Sequence, residues 1–365
     1  MNRRTFIQTA GALAVVTAAA PLPGWHAAEK PTATARHLPR WRGFNLLQKF
    51  VKRPGGNPPF RETDFALLAE WGFDFTRLPL SYLCWTDPDD WLKLREEELK
   101  HLDDAVAFGG KHGVHVNLNL HRAPGYCVNP PKEPLDLWKD EKALAACAFH
   151  WAHLAKRFQG IPNDRLSFDL LNEPAEISEE TYVRVVRRLV QAIRAEDPQR
   201  LIIADGLRWG RDPVLGLTEL GIAQSTRGYE PMEISHYRAN WIHGSDKWPE
   251  PTWPLKHGEN GWAGNREVNK ETLAKEHIQP WKQLEQKGVG VHVGEWGAFN
   301  HTPHQVVLAW MRDCLALWKD AGWGWALWEL RGGFGVLDSQ RTDVEYESFR
   351  GHQLDRQMLN LLQDG

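Results

Sequence analysis

From Pro39 onward the chain alternates short apolar runs with amphipathic stretches, and this rhythm restricts its fold more than any single motif does. Strands are predicted at Trp41–Leu46, Phe73–Leu78, Val114–Leu120, around Leu166 to Leu171, at Leu201–Ala204, Met232–His236, Val291–Gly294 and Gly324–Trp328. Between them fall helical patterns at Thr63–Glu70, Leu99–His112, Leu137–Phe158, Glu179–Glu196, Lys270–Lys287 and Pro303–Ala321, with Gln353–Leu362 as a closing helix. Alternation of this kind builds a parallel α/β sheet. Eight such units in roughly 325 residues, without a glycine-rich phosphate loop, favour closure into a (β/α)8 barrel with enlarged loops over an open doubly wound sheet. The long stretch Arg238–Asn265, rich in Trp, Pro and Gly, is the largest expected insertion.

Two of the predicted strands end on a carboxylate. The fourth runs into Asn172-Glu173-Pro174, where proline cannot continue the ladder. The seventh ends in Gly294-Glu295-Trp296. Strand exits of such a barrel meet at one rim, where the chemistry of the fold resides. The same rim would collect Arg77, His121, Asn172, His236, Tyr237 and Trp328 from other exits. Two carboxylates, an amide, a guanidinium, a phenol and an indole floor suit acetal hydrolysis, which needs one protonated and one ionised carboxyl. Arg77 and Tyr237 are expected to keep Glu295 ionised, and proximity to that charge to keep Glu173 protonated. Asn172 is placed to donate to a sugar 2-hydroxyl, and Trp328 to lie beneath the ring being cleaved.

The bulk numbers add exclusions. Lys and Arg total 44 against 47 Asp and Glu, a formal charge of −3, so nothing asks for nucleic acid or an anionic membrane. The unusual count is 19 Trp, since flat apolar faces are what sugar rings stack on. Trp241, Trp248, Trp253 and Trp262 in the long insertion are candidate platforms or packing residues. Cys84, Cys127, Cys147 and Cys314 lack metal-type spacing, and none is paired from sequence.

Asn2-Arg3-Arg4-Thr5-Phe6-Ile7 followed by an apolar run over Ala10–Ala20 reads as a twin-arginine export signal. The run is too short to span a bilayer, and no later stretch is long enough. The expected organisation is a signal at 1–28, a short tether at 29–38 and one catalytic domain at 39–365, exported and monomeric.

From Trp41-Arg42-Gly43-Phe44-Asn45-Leu46 to Trp328 the chain resembles glycoside hydrolase family 5, the cellulase-like branch of the retaining barrel glycosidases. The motifs that carry the resemblance are Phe75-Thr76-Arg77-Leu78-Pro79, Asn119-Leu120-His121, Leu171-Asn172-Glu173-Pro174, His236-Tyr237, Gly294-Glu295-Trp296 and Trp325-Ala326-Leu327-Trp328. The resemblance implies a cofactor-free, retaining hydrolysis of β-linked polysaccharide or oligosaccharide. Glu173 would be the acid/base, Glu295 the nucleophile, and the other rim residues would complete the subsite for the cleaved ring. The family separates its sixth-strand His and Tyr by one residue, whereas His236 and Tyr237 are adjacent, which leaves Ser235 and Arg238 as alternative occupants of one of those places. His121 to Gly125 is similar to the third-strand loop of the family's exo-β-1,3-glucanases. Endo-β-1,4-glucanase, exo-β-1,3-glucanase or β-glucosidase, and β-mannanase all stay compatible. A carbohydrate-binding protein without catalysis, and a metal-dependent barrel hydrolase drawing on His112, His115, His121 and His292, are the readings from other classes.

Overall fold

In a computed structural model the described residues are 33–87, 90–256 and 267–365. The expected export signal at 1–28 and Trp262 lie outside them. Eight parallel strands close into a barrel in sequence order: β1 (Arg42–Asn45), β2 (Phe75–Ser81), β3 (His115–Arg122), β4 (Leu166–Asp169), β5 (Ile202–Asp205), β6 (Ala223–Gly228), β7 (Val291–Trp296) and β8 (Gly324–Leu327). β8 returns to β1 in register, Gly43 opposite Ala326, which leaves no free edge. Asn45, Arg77 and Asn117 are aligned across β1, β2 and β3, so polar side chains from neighbouring strands meet at one level.

The helices follow from local signals. α1 (Glu62–Glu70) and α2 (Glu96–His112) open with acidic first turns, which suit the positive end of the helix dipole. α2 stops at Gly113, whose left-handed φ of 70° a side chain would strain. Asp140 caps α3 (Glu141–Arg157) through the Lys142 amide, so this helix starts four residues later than the apolar pattern suggested. Ser178 caps α4 (Glu179–Glu196). A helical stretch over 270–285 contains a π turn at Ala274–Ile278. α5 (His304–Ala321) and α6 (Arg356–Asp364) complete the outer layer, the latter capped by Asp355.

Two crossovers differ from expectation. The expected sixth strand, Met232–His236, is a single helical turn at Met232–Ser235. Pro231 precedes it and has no N–H to give to a ladder. The strand that fills the sixth place is Ala223–Gly228, a run of Gln, Ser, Thr and Arg whose side chains are nonetheless buried. The link from β5 to β6 carries a 3-10 turn at Leu215–Leu220 rather than a full helix.

The end of the barrel opposite the strand exits is sealed by apolar side chains: Trp41, Phe75, Leu201, Ile203, Ala223 and Ala326, with Ala33 and Leu38 beneath them. Packing thus begins at Ala33, ahead of Pro39, and the Gly290 amide bonds to the Ala35 carbonyl at 2.7 Å. His115 lies 3.7 Å from Trp41 between ring centroids and bonds Ser167, while His292 packs on Phe75. Both imidazoles therefore belong to this seal. The four cysteines are free thiols. Among the described residues no helix is long and apolar enough to cross a membrane.

Candidate active site

The exit of β4 sets the geometry. After Asp169 the backbone keeps pairing, with the Leu170 amide on Ile203 and the Asn172 amide on Leu120, and it then turns at Glu173 with φ 50°. That left-handed conformation is costly for a residue with a side chain. It is held from both sides: the Glu173 amide donates to Asp205 Oδ2 at 2.8 Å, and its carbonyl accepts the Tyr126 hydroxyl at 2.6 Å. The Glu173 carboxyl faces the rim and keeps 16% of its side chain exposed.

Glu295 enters from β7 and is almost fully enclosed. Its Oε1 accepts from Arg77 Nη1 at 2.5 Å and Arg227 Nη2 at 3.4 Å, and its Oε2 accepts from the Tyr229 hydroxyl at 3.2 Å. Arg77 also reaches Asp169 at 2.8 Å, Asn172 Oδ1 at 2.8 Å and Asn45 Oδ1 at 3.2 Å. Arg227 donates Nε to Glu173 Oε1 at 3.0 Å and Nη2 to Asn172 Oδ1 at 2.9 Å, and grips Asp205 with both terminal nitrogens. One guanidinium therefore touches both rim carboxylates. His121 stands 3.3 Å from the Asn172 amide nitrogen and stacks at 5.6 Å on Trp328, which Phe50 braces edge-on.

Two arginines stand among four carboxyls here: Asp169, Glu173, Asp205 and Glu295. Buried anions beyond the available cations are met by bound protons. Burial, then the Glu295 charge, pushes Glu173 up to about 7 against the pull of Arg227. Burial and the neighbouring Asp205 push Asp169 up to about 7 as well. The pressure on Glu173 is thus desolvation first and like charge second, whereas the sequence reading named the charge alone. Burial, reinforced by Arg77, Arg227 and Arg122, lowers His121 well below its usual range and keeps the imidazole neutral.

The structure brings Arg77, His121, Asn172, Glu173, Glu295 and Trp328 together. His236 and Tyr237 do not take the expected places. His236 packs 5.0 Å from Tyr229 and is pressed down to about 3 by burial, and Tyr237 lies beneath Arg238. The phenol on Glu295 is Tyr229. Arg227-Gly228-Tyr229 restores the one-residue spacing, with arginine in the position of the family's histidine. Asn45, Tyr126, Asp169, Asp205, Arg227 and Tyr229 were missed. The motif spacing alone could have found Tyr229, had the polar run before it been read as a strand. In the long insertion Trp248 is buried, Trp253 bonds Asp313 at 2.9 Å, and Trp241 stays 52% exposed. Among the described residues no group of three or more His, Cys, Asp or Glu is placed to hold a metal ion.

A closed parallel barrel with two carboxyls brought onto one guanidinium at its strand exits fits a glycoside hydrolase of the (β/α)8 kind. The Cellulase (glycosyl hydrolase family 5) model matches residues 27–333, and the chain belongs to that family. It is 25% identical over 305 residues to endoglucanase C of Acetivibrio thermocellus, covering 78% of this chain and 88% of that protein. A crystal structure of a glycoside hydrolase superposes with TM-score 0.84 at 38% identity, covering 89% of this chain and 99% of the other. Endoglucanase Cel5A from Thermotoga maritima, at 21% identity and TM-score 0.69 over 88% and 96% of the two chains, shares the fold. The protein is an enzyme, an O-glycosyl hydrolase.

Proposed function

We propose that the protein is a retaining endo-β-1,4-glucanase in which Glu295 is the nucleophile and Glu173 the acid/base. In the first step a Glu295 oxygen bonds the anomeric carbon as the glycosidic C–O bond breaks, and Glu173 gives its proton to the departing oxygen. In the second, the Glu173 carboxylate takes a proton from water. The water oxygen attacks the same carbon and Glu295 leaves, so two inversions restore the β configuration. Arg77 and Tyr229 each donate to one Glu295 oxygen and hold the carboxyl aimed. Asn172, fixed through Oδ1 by two arginines, has its amide N–H2 left to serve the 2-hydroxyl and His121. Trp328 forms the floor.

The observation that carries the reading is the single Arg227 guanidinium reaching both carboxyls, because retention wants them roughly 5 Å apart. The glucan and the endo mode rest on the family and on the endoglucanase relative. Export through a twin-arginine signal at 1–28 and action as a monomer by the domain at 39–365 complete the proposal.

The Glu295→Gln variant is expected to lose at least about a thousandfold in kcat on β-1,4-glucan while keeping wild-type circular dichroism. Proton NMR of early product should show the β-anomer. Activity within tenfold of wild type, or α-product appearing first, overturns the mechanism. A panel of β-1,3-, β-1,4- and β-1,6-glucans and mannan, scored for reducing ends, tests the linkage.

A further inference from the structure

We propose that the loop from β1 to α1 forms, with the start of α2, a binding pocket for an oxyanion outside the catalytic rim. The ligand class is a phosphate, sulfate or carboxylate group, arriving free or carried on a glycan chain. Binding stands apart from the glucanase reading, and only its effect on turnover rests on that reading.

The pocket is a cavity of about 320 Å3 with Lys52, Arg53, Arg95 and Glu98 in its wall, together with Asn57 and Cys84. Its single acid is already committed. Glu98 Oε2 accepts from Lys49 Nζ at 2.7 Å, and Oε1 from Arg95 Nη2 at 3.4 Å. Lys49 is only 1% exposed, so it claims Glu98 from inside the fold. The second acid on Arg95 is Glu97, at 3.0 Å from Nε and turned to solvent. Lys52 and Arg53 have no carboxylate partner among the described residues. Lys49, Lys52, Arg53 and Arg95 thus face only Glu97 and Glu98, in a chain whose overall charge is −3. An excess of positive charge on a concave wall concentrates anions there. Guanidinium and ammonium groups are also the donors that oxyanions bond most strongly.

The wall is preformed. Asn57 donates Nδ2 to the carbonyls of Gln48 and Val51 at 2.8 and 2.7 Å, and its Oδ1 accepts the Arg53 amide at 3.0 Å. The Cys84 thiol reaches the Lys49 carbonyl and Asn57 Oδ1 at 3.5 Å each. Burial pushes that thiol up to about 11, so it stays a neutral donor and adds no competing negative charge. A site held in shape this way loses little freedom when a ligand arrives. The cavity exceeds what a bare tetrahedral anion fills, so an acidic group still attached to a sugar also fits.

The same loop reaches the catalytic floor. Phe50 stands edge-on to His121 at 4.6 Å and to Trp328 at 5.3 Å. The Lys49 carbonyl takes the Ser81 amide at 2.8 Å, which ties the loop to β2. An anion that draws Lys52 and Arg53 toward Arg95 therefore steadies the segment bracing Trp328.

The test titrates inorganic phosphate into the protein by calorimetry, with chloride at matched ionic strength as the control. The double variant Lys52→Gln/Arg53→Gln should weaken phosphate binding at least about tenfold, because charge-assisted hydrogen bonds are lost. Lys111→Gln/Lys139→Gln, on exposed lysines elsewhere, should bind as wild type does. Turnover of carboxymethyl cellulose and hydroxyethyl cellulose then separates the two sources. If the anion is carried on the glycan, the pocket variant should raise KM about tenfold for the carboxymethyl polymer alone. If it arrives free, phosphate should lower the wild-type KM on both polymers and leave the pocket variant unmoved. Phosphate binding that is absent, or unaltered in the pocket variant, together with an unchanged KM ratio between the polymers, overturns the site. An equal loss in the control variant would reduce the effect to bulk charge and overturns it as well. Wild type that hydrolyses neither polymer would instead sink the glucanase reading and leave the binding result standing.

Discussion

Arg227 is the residue on which the site's electrostatics turn. An imidazole in its place could lose its charge near neutrality, whereas a guanidinium stays cationic throughout the working range. Asp205 holds it and also holds the Glu173 amide, so one buried carboxylate fixes both the cation and the backbone of the proposed acid/base. With Glu173 pushed up to about 7, its proton is in place below that pH and is lost as pH rises through it, so kcat/KM should decline on the alkaline side from near neutrality. Arg227→Gln removes a charge that favours the ionised carboxyl, and that limb should move up by about one pH unit. Arg227→Lys keeps the charge but cannot span Glu173, Asn172 and Asp205 together. It should leave the limb in place and lower kcat about tenfold or more. pH–rate profiles of both variants check this, and a limb that stays put in Arg227→Gln would remove the arginine from control of the proton. Glu173 and Glu295 were legible because each sits in a three-residue motif at the end of an apolar run. Arg227 and Tyr229 were not, because the run before them is polar.

At the scale of elements, β6 is the instructive case. Alternation of apolar and polar residues identifies a strand with one face on the core and one in water. Inside a barrel of this size the inner face can be occupied by hydrogen-bonded polar groups, and Ala223–Gly228 has no apolar stripe to show. Met232–Ile234, which has one, instead forms a helical turn that buries Ile234 in the main core. β1 makes the opposite point, since its constraint is steric. A Cβ on Gly43 would stand 1.7 Å from the Phe75 carbonyl oxygen. That contact cannot be relieved by moving a side chain, because the obstacle is the backbone of β2. Gly43→Ala should therefore cost at least ~3 kcal/mol of unfolding free energy, or separate the two strands outright. Urea titration followed by tryptophan fluorescence measures it, and a cost under about 1 kcal/mol would mean the strand pair is looser than described.

The barrel is a cylinder with unlike ends. One is sealed by aromatic and aliphatic side chains, and the other holds the two arginines and four carboxyls under a partly aromatic rim. Closure relies on the chain's last segment: Arg42, at the start of β1, donates to the carbonyls of Gln363 and Gly365 at 3.0 and 2.7 Å. α6 also buries Met358, Leu359 and Leu362 completely. Ending the chain after Leu354 should cost roughly 5 kcal/mol, at about 2 kcal/mol for each of these side chains less some relaxation. Calorimetry should register a clearly lower Tm, and an unchanged Tm would show that the barrel closes without this strap. By itself the sequence determined the closed α/β barrel and named the two carboxyls proposed for catalysis with several of their neighbours, because strand period, helix caps and short exit motifs are encoded within a few consecutive residues. Only the tertiary structure decided which polar run is the sixth strand, that an arginine clamped by Asp205 stands in the histidine's place, and that Tyr229 rather than Tyr237 meets Glu295. Those choices depend on which buried groups neutralise one another across 22 to 68 positions of chain, and no local pattern carries such a pairing.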